Sequence, residues 1–369
     1  MRMRVSVVAS AAVVLATVAS AGMAAPSQAA TAAPQYKLVL GPMNQGQYVG
    51  INNNGDIIGI GSDPAAFGRE EGFLIKAGTT TPVYLGAPGD ETDQGTDTRP
   101  RSINDQGVIV GNYGKTVVFA GGEQTIPRPA TWPGTAIGSD LGVEPAGEAD
   151  AFAINNNGQI VGRQAGSAFT PWLLQGTTVT NLPVPAGAVL TEALAVSPTG
   201  VAVGDFQQAN GHQVATEWSG GKASSLGTLN GGTWAEALAI NGSGVAVGAA
   251  TKPGNPINFD SAVMFSNGKA IDLNAPGTGQ GPTQANAINS SGVIVGEDGI
   301  DPDVLPVGDG FVYKNGHATD LNTLIAPTPN VRLASAQGIN NAGDIVGIAA
   351  ITLPDGTQGS VGYELIPIP

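Results

Sequence analysis

Residues 151–162 read AFAINNNGQIVG, and this stretch decides the fold. Apolar and small residues alternate up to Ile154, and Asn155 opens a short polar run. Gly158 follows, and Ile160, Val161 and Gly162 resume an apolar strand. Two strand-like segments joined by Asn-x-x-Gly predict a tight β-hairpin, with glycine in the left-handed position of the turn. The Asn side chain can bond the turn backbone as an Asx turn.

The pattern recurs six more times, starting at Val49, Arg101, Ala193, Ala237, Ala285 and Ala336. The turn glycines are Gly55, Gly107, Gly158, Gly200, Gly244, Gly292 and Gly343, spaced 52, 51, 42, 44, 48 and 51 residues apart. A second hairpin follows in most copies, an aromatic strand and then a strand ending in Leu. Examples are Phe73 with Leu85, Trp172 with Leu182, Trp218 with Leu226, Phe265 with Leu273 and Tyr313 with Leu321. Four strands per period of this length make one propeller blade. The expected fold is therefore all-β: a seven-bladed β-propeller of four-stranded antiparallel blades. Residues 36–40 read as a fourth strand without its three predecessors, and the last repeat ends on a third strand. Pairing the two would close the ring and leave no open sheet edge. A β-solenoid is the rival, disfavoured because tight hairpin turns build antiparallel meanders.

Residues 226–248, LGTLNGGTWAEALAINGSGVAVG, resemble the HAF-repeat extracellular proteins. Units of that family read Leu-Gly-x-Leu-Gly-Gly, then Ser-x-Ala-x-Ala-Ile-Asn, then Gly-x-Val-Gly. The resemblance spans nearly all of the chain after its N-terminal segment and implies a secreted repeat protein of propeller type, without implying a defined role. The chain departs from the pattern where Val196-Ser197-Pro198 replaces Ile-Asn-x, where Ala235 replaces the usual Ser, and where Asn230 is inserted before the glycine pair.

Residues 1–29 read as a secretory signal: Arg2 and Arg4, an apolar stretch, then small residues up to a cleavage point after Ala29. Residues 30–35 then form a disordered linker, and residues 36–369 the propeller. The expected location is secreted and extracellular, without a membrane anchor. The chain has no cysteine, which removes disulfides, lipoprotein anchoring, thiol nucleophiles and cysteine metal sites. Loss of the signal moves the net charge from −14 to −16. Such a surface repels nucleic acid and anionic lipid, and suits a soluble monomer with a glycan or protein partner.

Blade topology puts both tight hairpins on one face and the uneven connections on the other. The long connections are 86–101, 112–129, 248–261 and 296–310, and uneven loops on a rigid scaffold are where function is expected. Five positions before each turn Asn (or Ser197) stand Gln47, Arg99, Asp150, Glu192, Glu236, Gln284 and Ser335, all polar, as a ring at the channel mouth. The simpler reading is a hydrated ring. The sharper one makes Asp150, Glu192, Glu236 and Arg99 catalytic candidates, since paired carboxylates hydrolyse glycosides, with Gln47, Gln284 and Trp234 as ligand contacts. Trp234 is set apart from Trp132, Trp172 and Trp218, which read as blade core. It precedes Glu236 by two residues, on the same side of an extended strand, where an indole can stack on a sugar.

Two acidic runs, Asp90, Glu91, Asp93 and Asp97, and Glu297, Asp298, Asp301, Asp303 and Asp309, read as solvated loops. Calcium, through Asp301 and Asp303, is the alternative. No other cofactor is expected: His212 and His317 fall on opposite faces, and residues 111–116 have the wrong glycine spacing for a phosphate loop.

Overall fold

The structure is a computed structural model. It describes residues 33–42, 46–63, 69–89, 97–119, 122–134, 137–143, 147–166, 169–254, 260–276, 282–299 and 308–369. The expected signal segment lies outside these residues, as do Asp301 and Asp303 and, in the first acidic run, Asp90, Glu91 and Asp93.

The strands pair into seven four-stranded antiparallel sheets. After β1 (Tyr36–Leu40), blade 1 takes β2 (Gln47–Ile51), β3 (Ile57–Asp63), β4 (Arg69–Ile75) and β5 (Val83–Tyr84). Blade 2 takes β6 (Thr98–Ile103), β7 (Val108–Phe119), β8 (Gly122–Pro133) and β9 (Ser139–Asp140). Blade 3 takes β10 (Ala149–Ile154), β11 (Gln159–Gln164), β12 (Thr170–Gln175) and β13 (Thr178–Asn181). Blade 4 takes β14 (Ala188–Val196), β15 (Ala202–Gln208), β16 (Gln213–Ser219) and β17 (Lys222–Gly227). Blade 5 takes β18 (Ala235–Ile240), β19 (Ala246–Thr251), β20 (Asp260–Ser266) and β21 (Lys269–Asp272). Blade 6 takes β22 (Thr283–Ile288), β23 (Ile294–Asp298), β24 (Asp309–Lys314) and β25 (His317–Asp320). Blade 7 takes β26 (Val331–Ile339), β27 (Ile345–Thr352) and β28 (Gln358–Pro367). Its fourth strand is β1, which pairs antiparallel with β28 from Tyr36↔Pro367 to Leu40↔Tyr363. Gln35, expected in the linker, instead extends this pairing, accepting from the Ile368 N–H at 2.8 Å and donating to the Leu324 carbonyl at 2.8 Å. The seven-bladed ring is thus closed by its N-terminal strand.

Each feature of the repeat has a physical reason. The seven turn glycines all have φ between 72° and 93°, the left-handed region that glycine enters without cost. The Asn of each turn works twice. Asn155 Oδ1 accepts from the N–H groups of Asn157 and Gln159, both at 3.0 Å, which fixes the turn. Its Nδ2 then donates to the Ser197 carbonyl of the next blade at 2.8 Å. The same amide-to-carbonyl bond links Asn52 to Asn104, Asn104 to Asn155, Asn241 to Asn289, Asn289 to Asn340, and Asn340 back to Asn52. Six of the seven blade junctions are tied this way around the axis. The seventh, from blade 4 to blade 5, lacks the tie because Ser197 stands where the others have Asn.

The closing glycine of the repeat serves another purpose. A Cβ at Gly162 would run into the Asp150 carbonyl oxygen and the Trp172 ring. Cβ atoms at Gly59, Gly111, Gly204, Gly248, Gly296 and Gly347 would likewise meet the carbonyl of the first strand of their own blade. The second strand therefore lies too close to the first for any side chain there. Every first strand shares one bulge, where pairing skips Val49, Arg101, Phe152, Leu194, Leu238, Asn286 and Gln337, and β14 and β26 each carry a second.

The core lies between blades. Trp132, Trp172 and Trp218 are buried on third strands, as the sequence predicts, with Phe73 and Phe265. In blade 6 Phe311 is fully buried, and Tyr313 packs half-buried against the same cluster. One expectation fails. Residues 112–129 are not a long loop but a continuation of β7 and β8, paired down to Phe119↔Gly122, so that blade 2 projects a hairpin from the loop face. The alternation of Thr116, Val117, Val118 and Phe119 is strand-like, but it follows so many glycines that it reads as loop in sequence.

Candidate functional site

The bulge sets the register that builds the site. In the hairpin of blade 3, Ile154 opposes Ile160 and Ala153 opposes Val161. After the skipped Phe152, Ala151 opposes Gly162 and Asp150 opposes Arg163. The residue following each closing glycine therefore stands beside a channel-mouth residue: Ile60 by Gln47, Asn112 by Arg99, Arg163 by Asp150, Asp205 by Glu192, Ala249 by Glu236, Glu297 by Gln284 and Ile348 by Ser335.

These second-strand residues reach across to the next blade. Asn112 donates to Asp150 at 2.8 Å, and its amide oxygen accepts from the Ala151 N–H. Arg163 donates through Nε to Asp150 and through NH1 to Glu192, each at 2.8 Å. The Arg163 guanidinium also lies 4.4 Å from the Phe169 ring and 5.8 Å from that of Phe152, a cation–π setting that helps fix it. A half-buried Asn–Asp–Arg–Glu chain thus runs across blades 2, 3 and 4.

The chain turns unfavourable at the next junction. Asp205 is fully buried, and neither of its carboxyl oxygens has a hydrogen-bond partner. Burial first, then the charges of Glu192 and Glu236, push its pKa up to about 9, so it is held neutral at pH 7. Burial, with Asp260 and Glu192 adding to it, pushes Glu236 up to about 7. Glu192 is raised by the same desolvation, which outweighs the opposing pull of Arg163. On the far side Glu297 is pushed up to about 7 by burial, against the hydrogen bonds of Asn286 and Ser335.

The structure thus brings together Asp150, Glu192 and Glu236 from the expected set and adds Arg163, Asp205 and Asn112, which sequence reasoning misses. Arg99 turns the other way, its guanidinium exposed 3.6 Å from Asp97 and 3.9 Å from Glu70. Arg101, exposed at the first-strand bulge, feels Asp150 as its countercharge. Gln47 is exposed, and Gln284 donates to Asn286 at 3.0 Å. Trp234 is half-buried immediately before β18, and its carbonyl accepts from the Thr251 N–H at 3.0 Å. That bond continues the β18–β19 ladder by one residue, so Trp234 and Glu236 do share a strand direction.

In the second acidic run Asp309 is taken by Arg332 in a two-bond pair at 2.8 and 3.0 Å. Asp298 is buried and pushed up to about 6, first by burial and then by Asp309 and Asp320. Among the described residues no three His, Asp or Glu side chains are placed to hold a metal ion, and no helix is long and apolar enough to cross a membrane.

No family model and no curated protein matches the chain, so the HAF-repeat resemblance rests on the motif residues alone. Among solved structures it is similar to the β-propeller domain of the Trilobed protease from Pyrococcus furiosus, at TM-score 0.49 and 7% identity over 87% of this chain and 94% of that one. It is similar to TolB from Acinetobacter baumannii, at TM-score 0.44 and 13% identity over 88% and 79%. It is also similar to a gluconolactonase from Xanthomonas campestris, at TM-score 0.41 and 13% identity over 92% and 99%. Function must therefore be argued from the site itself. By its own strand pairing, the chain is a closed seven-bladed β-propeller.

Proposed function

We propose that this protein is an extracellular binding propeller of HAF-repeat type, whose loop-face channel mouth over blades 3 to 5 takes a glycan or a protein segment. The observation that carries this reading is the Arg163 bridge. Asp150 and Glu192, the carboxyls a glycosidase would most simply use, are both tied to one guanidinium at 2.8 Å. Each carboxylate is thereby held in one orientation, with one oxygen occupied by the guanidinium. The half-exposed Trp234, two residues before Glu236, offers the flat apolar face that sugars and aromatic side chains stack on. A glycan array probed with the purified chain, followed by calorimetry on its hits, tests the proposal. Trp234→Ala is expected to weaken binding by about tenfold, in line with loss of an aromatic contact. Unchanged affinity would remove this mouth from the account.

A second reading rests on Glu236 alone. A carboxyl titrating near 7 in a channel mouth is suited to general acid–base work. In a carbohydrate-active enzyme, Glu236→Gln would abolish release of reducing ends while the ligand stayed bound. In a binding module it would shift affinity only modestly.

A further inference from the structure

Blade 1 differs from its six siblings at two registers. Two residues beyond the closing glycine the blades carry Gly61, Tyr113, Gln164, Phe206, Ala250, Asp298 and Ala349 in turn. Tyr113 and Phe206 fill that space with buried rings in blades 2 and 4. Blade 1 leaves it open with Gly61. Four residues before the turn Asn the blades carry Tyr48, Pro100 and then Ala five times. Blade 1 therefore gains a large ring at a position where close packing elsewhere admits only small residues.

Together these two changes shape a cavity of about 280 Å³, walled by Tyr48, Phe73 and Tyr84. The rings meet edge to face, with centroids 6.0 Å apart for Tyr48 and Phe73 and 6.2 Å for Phe73 and Tyr84. Gly46 and Gly61 form the floor, where an added Cβ would lie 3.6 and 3.2 Å from the Phe73 ring, and Pro42 stands exposed at the rim. The outer strand β5 has only two residues.

We propose that this cavity is a binding site for a small planar aromatic ring, of the size of a phenol or an indole. Its volume sits near the lower end of the range for ligand pockets, about 300 Å³ and upward, and apolar cavities of this order take apolar rings. A guest ring can continue the edge-to-face pattern of its walls. The polar groups argue against a sugar. The Tyr84 hydroxyl is spent on the Ser62 carbonyl at 2.8 Å, the Tyr48 hydroxyl lies against Gly41, and Thr81 adds a single hydroxyl to the lining. A pyranose would bury hydroxyls with almost no partners.

Ligand-observed NMR and calorimetry with indole, phenol and glucose test this on the purified chain. Indole and phenol are expected to bind and glucose not. Gly61→Phe, which installs the side chain that blade 4 carries at this register, is expected to weaken indole binding about tenfold or more while leaving the β-sheet circular dichroism unchanged. Tyr84→Ala, which removes a wall at the surface, is expected to do the same and serves should Gly61→Phe fail to fold. The proposal is overturned if neither indole nor phenol binds, if glucose binds as well as indole, or if folded Gly61→Phe or Tyr84→Ala binds indole as tightly as the unsubstituted chain.

Discussion

Replacing Asp205 by Asn should stabilise the protein, by an amount that grows with pH. Asp205 is fully buried with no hydrogen-bond donor, and burial with the Glu192 and Glu236 charges outweighs the pull of Arg163, pushing its pKa from an ordinary carboxyl value of 3.8 to about 9. The unfolded chain releases this proton near pH 4, whereas the folded chain retains it to about pH 9. Between those limits the native state binds more protons than the unfolded state, so stability falls as pH rises and the loss is complete above the folded pKa. Each pH unit is worth a little over 1 kcal/mol, or about 3 kcal/mol between pH 5.5 and 7.5. Against a total stability of about 5–15 kcal/mol, that is a large share. Asn has nearly the same shape and leaves the same atoms unpaired, but it carries no proton to lose. Urea denaturation of both forms at pH 5.5, 6.5 and 7.5 reads the difference. The gap should widen steadily toward pH 7.5. Parallel pH profiles would mean that Asp205 is ionised or solvated in the fold, and the reasoning would fail.

The other predictions follow from single contacts. Ser197→Asn should supply the missing amide tie between blades 4 and 5 and raise stability by about 0.5–1.5 kcal/mol in the same assay; destabilisation would argue against the ring of ties. Arg163→Met should cost about 3 kcal/mol at pH 7, because Asp150 and Glu192 lose their shared countercharge, with a smaller cost as the pH falls and the buried Glu192 takes up a proton. A loss that did not depend on pH would point to lost packing instead. Val39 and Glu364 oppose each other in the closing pair of strands. In this cysteine-free chain the double substitution Val39→Cys with Glu364→Cys should oxidise within one molecule and stabilise it by about 2–5 kcal/mol. Persistent free thiols, or only intermolecular disulfides, would contradict closure by β1.

Blade number, strand order and the closing strand were legible because they rest on features that act locally. An Asn-x-x-Gly turn imposes its own geometry, and seven such turns at blade spacing leave few arrangements. The buried tryptophans followed from the same count. The site was harder to read, for one identifiable reason. Without the bulge at Phe152, the hairpin register would set Asp150 opposite Gln164. The skipped residue brings Arg163 there instead, and an analogous bulge in blade 4 sets Asp205 beside Glu192. A bulge leaves no mark in a pattern of small and apolar residues. A signal was available all the same: the residue after each closing glycine is polar or charged in four of seven repeats, Asn112, Arg163, Asp205 and Glu297. The inter-blade role of the turn Asn was hidden differently, since an Asx turn already accounts for that residue.

The assignment of function to the loop face depends on where a partner sits, and hydrogen–deuterium exchange with a bound glycan or peptide measures that directly. The account predicts slowed exchange at residues 147–150, 188–192 and 231–236, with the Asn turns at 52–55, 155–158 and 340–343 unchanged. Protection confined to those turns would place the partner on the opposite face and contradict the account.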